Sequence, residues 1–385
     1  MSCEEYIANR TQMFASIVQR NISRQVQTYL SLKYAIDDVA LPITCTFGIV
    51  GNIINLLVLT RKQLQSTMDR LEKSAHFGLV ALAVSDAMFC MLALINVLIP
   101  EQSQYTSLDV VFVLYFKVYE EPLLNIFLLS STWLTVVMAV GRYLAICWPL
   151  HARGFISLRG TCVAIASAFL VSVLANLPLF WKYSILVHAC PALSGPPGGV
   201  TRCQCYSQVL GPLMRNNSLR FAYNIAWATI GTFVPVVILA FCNVRLIQAL
   251  HHSMKVQRQY RANRPHDSGH RLTPTLITII ILFLVLVCPS EVLKFTRAMT
   301  MGSQNFLLFQ LATVITNFMQ ATNFAINFIL YCVLNVHFRN MVKHVLLCKW
   351  RHRWPNMKAM AVPTSSSPNH NNTMTCNMSE TETEL

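Results

Sequence analysis

Charge is what this chain of 385 residues has least of. Only 12% of its side chains are charged and 54% are apolar, whereas a soluble domain carries about 25% charged residues. Acidic residues are the scarcer kind: 16 Asp and Glu stand against 30 Lys and Arg, a formal net charge of +14. These shortages exclude an intrinsically disordered chain and fit a water-exposed globule poorly. Metal-ligand spacing is also missing among the 13 cysteines. Cys203 and Cys205 form a C-x-C, but neither a second pair nor a histidine follows at zinc-finger distance. No internal repeat of 20–50 residues occurs, and no inverted pair of broken helices suggests a transporter. Residues 1–37 hold Glu4, Glu5, Arg10, Arg20, Arg24 and Lys33, so no cleavable signal peptide is expected.

The apolar residues that are present fall into seven long runs, at about 39–60, 76–99, 111–145, 161–181, 221–247, 273–296 and 305–334. Crossing a hydrocarbon core of about 30 Å takes roughly 20 apolar residues in a helix. Lipid offers backbone groups no partners, so these runs predict an all-α membrane fold, a seven-transmembrane helix bundle, with kinks at Pro178, Pro235 and Pro289. Continuous runs such as 272–286 do not alternate, which argues against a β-barrel. With the N-terminus outside, 19 of the 30 Lys and Arg fall in the inner segments 61–75, 142–160, 245–272 and 335–385, as the positive-inside rule requires. The excess basic charge therefore belongs to membrane-proximal loops, and no nucleic-acid partner is expected. Three parts follow: an extracellular segment 1–37, a bundle 38–349 that includes a short amphipathic eighth helix at 336–349, and a disordered cytoplasmic tail 350–385 rich in Ser, Thr, Asn and Pro.

Polar residues inside the runs are the functional candidates, because burying them in lipid is costly. Asp86 sits mid-span and needs a proton, water or a cation. Asn52, and Asn323 with Asn327 four residues later on one face, are either interhelical hydrogen-bond donors or part of the same site. Arg142 at the inner end of the third run is by itself compatible with an arginine that snorkels to the interface.

Taken together, Gly51-Asn52, Leu82-Ala83-x-x-Asp86, Arg142-Tyr143 with Pro149-Leu150, a proline in each of the fifth and sixth runs, and Asn327-x-x-x-Tyr331 followed by Phe338-Arg339 resemble the rhodopsin-like (class A) G-protein-coupled receptors over residues 38–349. The stretches 131–136, 142–147, 243–247 and 326–332 look like invertebrate neuropeptide receptors of the FMRFamide-receptor kind. The resemblance implies a receptor without enzymatic activity, resident in the plasma membrane, that passes ligand binding to a heterotrimeric G protein. It implies coupling and activation roles for Arg142, Tyr143, Tyr331 and Asn327, helix bending at Pro235 and Pro289, and a sodium site at Asp86, Ser131, Asn323 and Asn327, with no other cofactor. An orphan chemosensory receptor for a non-peptide ligand is the alternative. A seven-span transporter or channel is the alternative from another class.

The chain departs from that pattern at several places. Gly141 replaces the acidic neighbour of the arginine, which predicts raised ligand-free signalling or other polar contacts for Arg142. Phe328 and Val287 replace a span-seven proline and a span-six tryptophan. Lys117 stands where a cysteine would staple the third span to the second outer loop, and no cysteine occurs between Cys90 and Cys147. The outer loop must then be organised by its own cysteines, Cys190, Cys203 and Cys205, or by Cys3. Leu124 stands where amine receptors carry aspartate, and Ala321 where opsins carry lysine, so neither ligand class is expected. A peptide ligand is expected instead, at a mouth of Lys117, Tyr119, Glu120, Glu121, Leu124, Glu291 and Lys294, with Glu291 taking an arginine or an amide-bearing end.

Outside the bundle, Asn9, Asn21 and Asn216 match the N-glycosylation acceptor pattern. Cys348 is a palmitoylation candidate beside the membrane. Thr383 and Leu385 resemble a PDZ-domain ligand, and the tail's Ser and Thr suit phosphorylation for arrestin. Membrane lipid is a partner of the basic inner face and the eighth helix.

Overall fold

The structure is a computed structural model, which describes residues 24–61, 70–99, 108–148, 157–189, 204–260, 272–299, 306–334 and 338–343. The chain divides into Met1–Val342 and Lys343–Leu385; the architecture is that of the first unit. Five helices among the described residues are long and apolar enough to cross a membrane: Val26–Leu59, Lys73–Leu98, Phe112–Cys147, Leu158–Trp181 and Asn217–Ala249. They form the first to fifth spans, and Leu272–Met299 and Phe306–Leu334 form the sixth and seventh. All seven runs of the sequence are thus helical. The first helix begins earlier than expected, since Arg24–Lys33 and a π segment Tyr34–Ala40 lead directly into Leu41–Leu59. Residues 24–37, expected in the outer segment, are helical and continuous with the first span.

The third span holds the centre of the bundle: 61% of its apolar 18-residue stretch is buried, against 22% of the same length in the fourth span at the periphery. Its helix, Leu108–Cys147, has 40 residues, roughly 60 Å at 1.5 Å per residue and about twice the hydrocarbon thickness. The outer turns carrying Lys117, Glu120 and Glu121 can therefore stand above the lipid tails. The core joins Cys45, Phe89, Cys90, Leu128, Val136, Leu239, Val287 and Phe324.

Close approach of the spans depends on small residues. A Cβ on Gly48 would lie 2.7 Å from Cys90 Sγ and 3.0 Å from Ala325 Cβ, and one on Gly51 would lie 2.8 Å from Phe328 Cβ. The first span thereby packs directly against the second and seventh, as small-residue faces allow in lipid. Asn52 fixes the contact, its Nδ2 donating to Gly48 O at 3.0 Å and across to Phe324 O at 2.9 Å.

Prolines shape the spans where the sequence places them. Pro235 cannot donate to the residue one turn earlier, and the turn before it is a π segment, Thr229–Phe233. Pro178 lies in a 3-10 segment, Leu177–Trp181, that ends the fourth span. Pro289 lies within the sixth helix. Hydroxyls buried between the helices bond back to carbonyls four residues earlier, as at Thr132, Thr135 and Ser172.

Beyond the fourth span, Tyr183–Ala189 and Gln204–Leu210 pair as an antiparallel hairpin, from Tyr183 opposite Leu210 to Ala189 opposite Gln204. Past the seventh span, residues 338–343 are helical, with Phe338 and Val342 buried and Arg339 and Lys343 exposed. That is the amphipathic pattern expected of an eighth helix, over the part of 336–349 that is described.

Candidate functional site

Two buried carboxylates organise the interior. Asp86, in the second span, is fully buried. Ser131 Oγ of the third span donates to its Oδ1 at 2.8 Å, and Asn327 Nδ2 of the seventh donates to its Oδ2 at 2.5 Å. Three spans therefore meet on one carboxylate, each of whose oxygens has a neutral donor. Asn323 is also buried but does not bond Asp86, so three of the four expected residues share the cluster.

The second carboxylate, Glu291, lies two residues past Pro289 and is 4% exposed. Its Oε1 accepts from Gln320 Nε2 at 2.7 Å and from Lys294 Nζ at 2.8 Å. Its Oε2 is buried with no hydrogen-bond partner. Ser290 Oγ donates to Asn317 Oδ1 at 2.9 Å, a further link between the sixth and seventh spans. Glu291 borders a cavity of about 810 Å³, whose lining includes Glu120, Glu121, Leu124, Lys294, Gln320 and Tyr223. The Tyr223 hydroxyl is likewise buried and unbonded. Apolar side chains, among them Phe89, Leu124 and Leu128, complete the walls, the usual make-up of a site that orients a ligand with few polar groups.

At the mouth, Lys182 Nζ lies 2.6 Å from Glu121 Oε1, tying the third span to the base of the hairpin. Gly211 N donates to Lys182 O at 2.8 Å and closes the other end of that base. Lys117 does not line the cavity, contrary to expectation. It turns toward the second span, where its Nζ donates to the backbone oxygen of Asn96 at 2.8 Å and to the Asn96 side chain, with Glu120 at 3.8 Å. Asn96 of the second span and Glu120 of its own helix, which both line the cavity, hold the ammonium behind them. Tyr119 also leaves the lining, stacking on Tyr115 and meeting Phe180 at 6.0 Å.

At the inner end, Arg142 is buried, 8% exposed. Its neighbour Tyr143 meets Phe241 of the fifth span edge-on at 5.6 Å. Tyr331 is buried and packs on Phe338, their ring centroids 5.4 Å apart.

Residues 51–331 match the family described as 7 transmembrane receptor (rhodopsin family). The chain belongs to that family. Among its relatives is a probable G-protein coupled receptor of Caenorhabditis elegans, 26% identical over 78% of this chain and 66% of its own length. The FMRFamide receptor of Drosophila melanogaster is 22% identical over 80% of this chain and 53% of its own length. The sex peptide receptor of the same organism is 22% identical over 80% of this chain and 71% of its own length. The chain thus spans about two thirds and about half of the first two relatives. Rhodopsin-family receptors are multi-pass membrane proteins and not enzymes, and the seven helices agree with the first of these.

The receptor's structure also locates several residues that sequence reasoning passed over. Gln320 and Asn317, three residues apart in the seventh span, clamp Glu291 and Ser290. Their polarity within an apolar run was the available signal. Lys182 and Tyr223 gave none, because only the folded hairpin and fifth span bring them to the cavity. Phe328, in the place of the family proline, fills the space over Gly51 and meets the Phe338 ring at 6.4 Å. Val287, in the place of the family tryptophan, is a buried core residue. Asn216 is exposed and caps the fifth helix, its Oδ1 accepting from the backbone of Ser218 and Leu219. Asn9, Asn21, Cys3, Cys190, Cys203, Cys348, Thr383 and Leu385 lie outside the described residues.

Proposed function

We propose that this chain is a plasma-membrane receptor, N-terminus outside, that binds a peptide of the neuropeptide class in the outer cavity and signals through a heterotrimeric G protein. The observation that carries the ligand side is Glu291: a nearly buried carboxylate with one unsatisfied oxygen, bordering a cavity large enough for the end of a peptide. A donor from the ligand would complete its hydrogen bonding, and charge-assisted bonds of this kind are the stronger ones. The FMRFamide and sex peptide receptors among the relatives support a peptide over a chemosensory ligand. The coupling side rests on Arg142 and Tyr143 at the inner end, on Tyr331 and on Asn327, which bonds Asp86, with Pro235 and Pro289 as bending points.

The test is to express the chain with a promiscuous G protein and screen amidated neuropeptides. Glu291→Gln should lower agonist potency at least about ten-fold at unchanged surface expression. Equal potency in the variant would dismiss Glu291 as the anchor.

Sodium at Asp86 belongs to the same proposal. The carboxylate, the Ser131 hydroxyl and the amide oxygens of Asn323 and Asn327 are hard oxygen donors suited to such a cation, which would supply the missing positive charge. Agonist affinity that falls as sodium rises, and loses this dependence in Asp86→Asn, is the expected result. Arrestin and a PDZ-domain protein at 350–385, palmitate at Cys348 and glycans at Asn9, Asn21 and Asn216 are further parts of the proposal, supported by sequence pattern. Mass spectrometry of the full chain tests the two modifications.

A further inference from the structure

Glu291 is not a free anion awaiting a cation. Lys294, one turn later on the same helix, already lies on its Oε1, and reaches Gln320 Oε1 at 3.4 Å. The remaining unmet need at this pole is a hydrogen bond to Oε2, not a charge. The rest of the cavity is balanced as well. Glu120, Glu121 and Glu291 face Lys182, Lys294 and Arg220, three acids against three bases. A guanidinium or ammonium brought here would add net positive charge close to Lys294, whose like charge repels it. A carboxylate would set two acceptors against each other. An uncharged donor meets neither penalty.

We propose that Lys294 makes this pole selective for a neutral primary carboxamide, whose N–H donates to Glu291 while an apolar group beside it packs on Leu124, Leu128 and Phe89. This rests on the peptide-receptor reading of the same cavity and decides between the arginine and amide ends that the sequence leaves open. The terminal torsion of a glutamate is broad, so a partial turn of the carboxylate, with Gln320 Nε2 still on Oε1, brings the enclosed Oε2 toward an incoming donor. Gln320 is then a positioning residue, because its Nε2 fixes the other oxygen.

Benzamide, benzamidine and benzoate test this directly. They share one ring and differ in carrying a neutral amide, a cation or an anion. Binding to the full chain in lipid nanodiscs, read as a shift in thermal midpoint, should follow the order benzamide, benzamidine, benzoate, with about ten-fold between neighbours. In Lys294→Gln the uncompensated carboxylate should favour benzamidine over benzamide. Lys294→Arg should keep the wild-type order. Benzamidine binding best to the wild-type chain, no binding of any of the three, or an order indifferent to Lys294→Gln overturns the proposal. The measurement involves neither peptide nor G protein, so failure of the receptor reading in the cellular screen shows up separately.

Discussion

The two interior carboxylates make an instructive pair. Asp86 and Glu291 are both nearly or fully buried, and each is held by polar residues from the seventh span. Their surroundings differ in completeness. Asp86 has one neutral donor on each oxygen and no contact with the outer cavity, whereas Glu291 has two donors on one oxygen and none on the other, at the cavity wall. A satisfied buried carboxylate ties helices together. A half-satisfied one leaves a free-energy cost that a ligand can relieve.

The contrast breaks most easily at Asp86. Asp86→Ala strands the Ser131 hydroxyl and the Asn327 amide in a closed interior, and each such loss costs about 1–3 kcal/mol. The thermal midpoint of the purified chain should drop clearly, and an unchanged midpoint would make the cluster's apparent completeness irrelevant to stability. Glu291→Gln should do the reverse: a small change in midpoint but a potency loss of about ten-fold, or about 1.4 kcal/mol. Comparing the two variants in both assays sharpens the distinction between a tie and a docking point.

Smaller effects are expected at the mouth. The Lys182–Glu121 pair is partly exposed, its side chains 25% and 40% accessible, so Lys182→Gln should cost at most about 1 kcal/mol and lose its effect in high salt. A large, salt-independent effect would show that Lys182 touches the ligand itself. Lys117→Ala should change potency by less than about two-fold, because that side chain lies behind Asn96 and Glu120 and is not itself part of the cavity lining. At the far end, an added Cβ on Gly141 meets nothing within 4 Å. Gly141→Asp therefore fits, and should lower ligand-free signalling by restoring an acid beside Arg142; unchanged basal output removes that idea.

The site was legible in proportion to how far each residue departed from its surroundings. Asp86 and Glu291 are acids inside apolar runs, and the cost of burying them singles them out in the linear sequence. Lys117 carried as strong a signal, but the structure places it behind the cavity lining. Its charge marked it as part of the mouth, yet where a long flexible ammonium turns depends on the nearest acceptors, here Asn96 of the second span and Glu120 one turn along its own helix. Asn323 shows the same limit, since a shared helical face placed it with Asn327 but did not bring it within bonding reach of Asp86.

What the amino-acid order determined alone was the number of membrane crossings, their helical character and the places where they bend. Lipid allows an apolar run of sufficient length hardly any other conformation, and proline acts within a single turn. What only the packed bundle decided was which oxygen of Glu291 is left without a donor, which lysine compensates it, and that Tyr223 and Lys182 share its cavity. These depend on rotamers and on contacts between residues far apart in the chain, such as Glu121 and Lys182 at a separation of 61 positions, and a linear pattern carries no distance information on that scale.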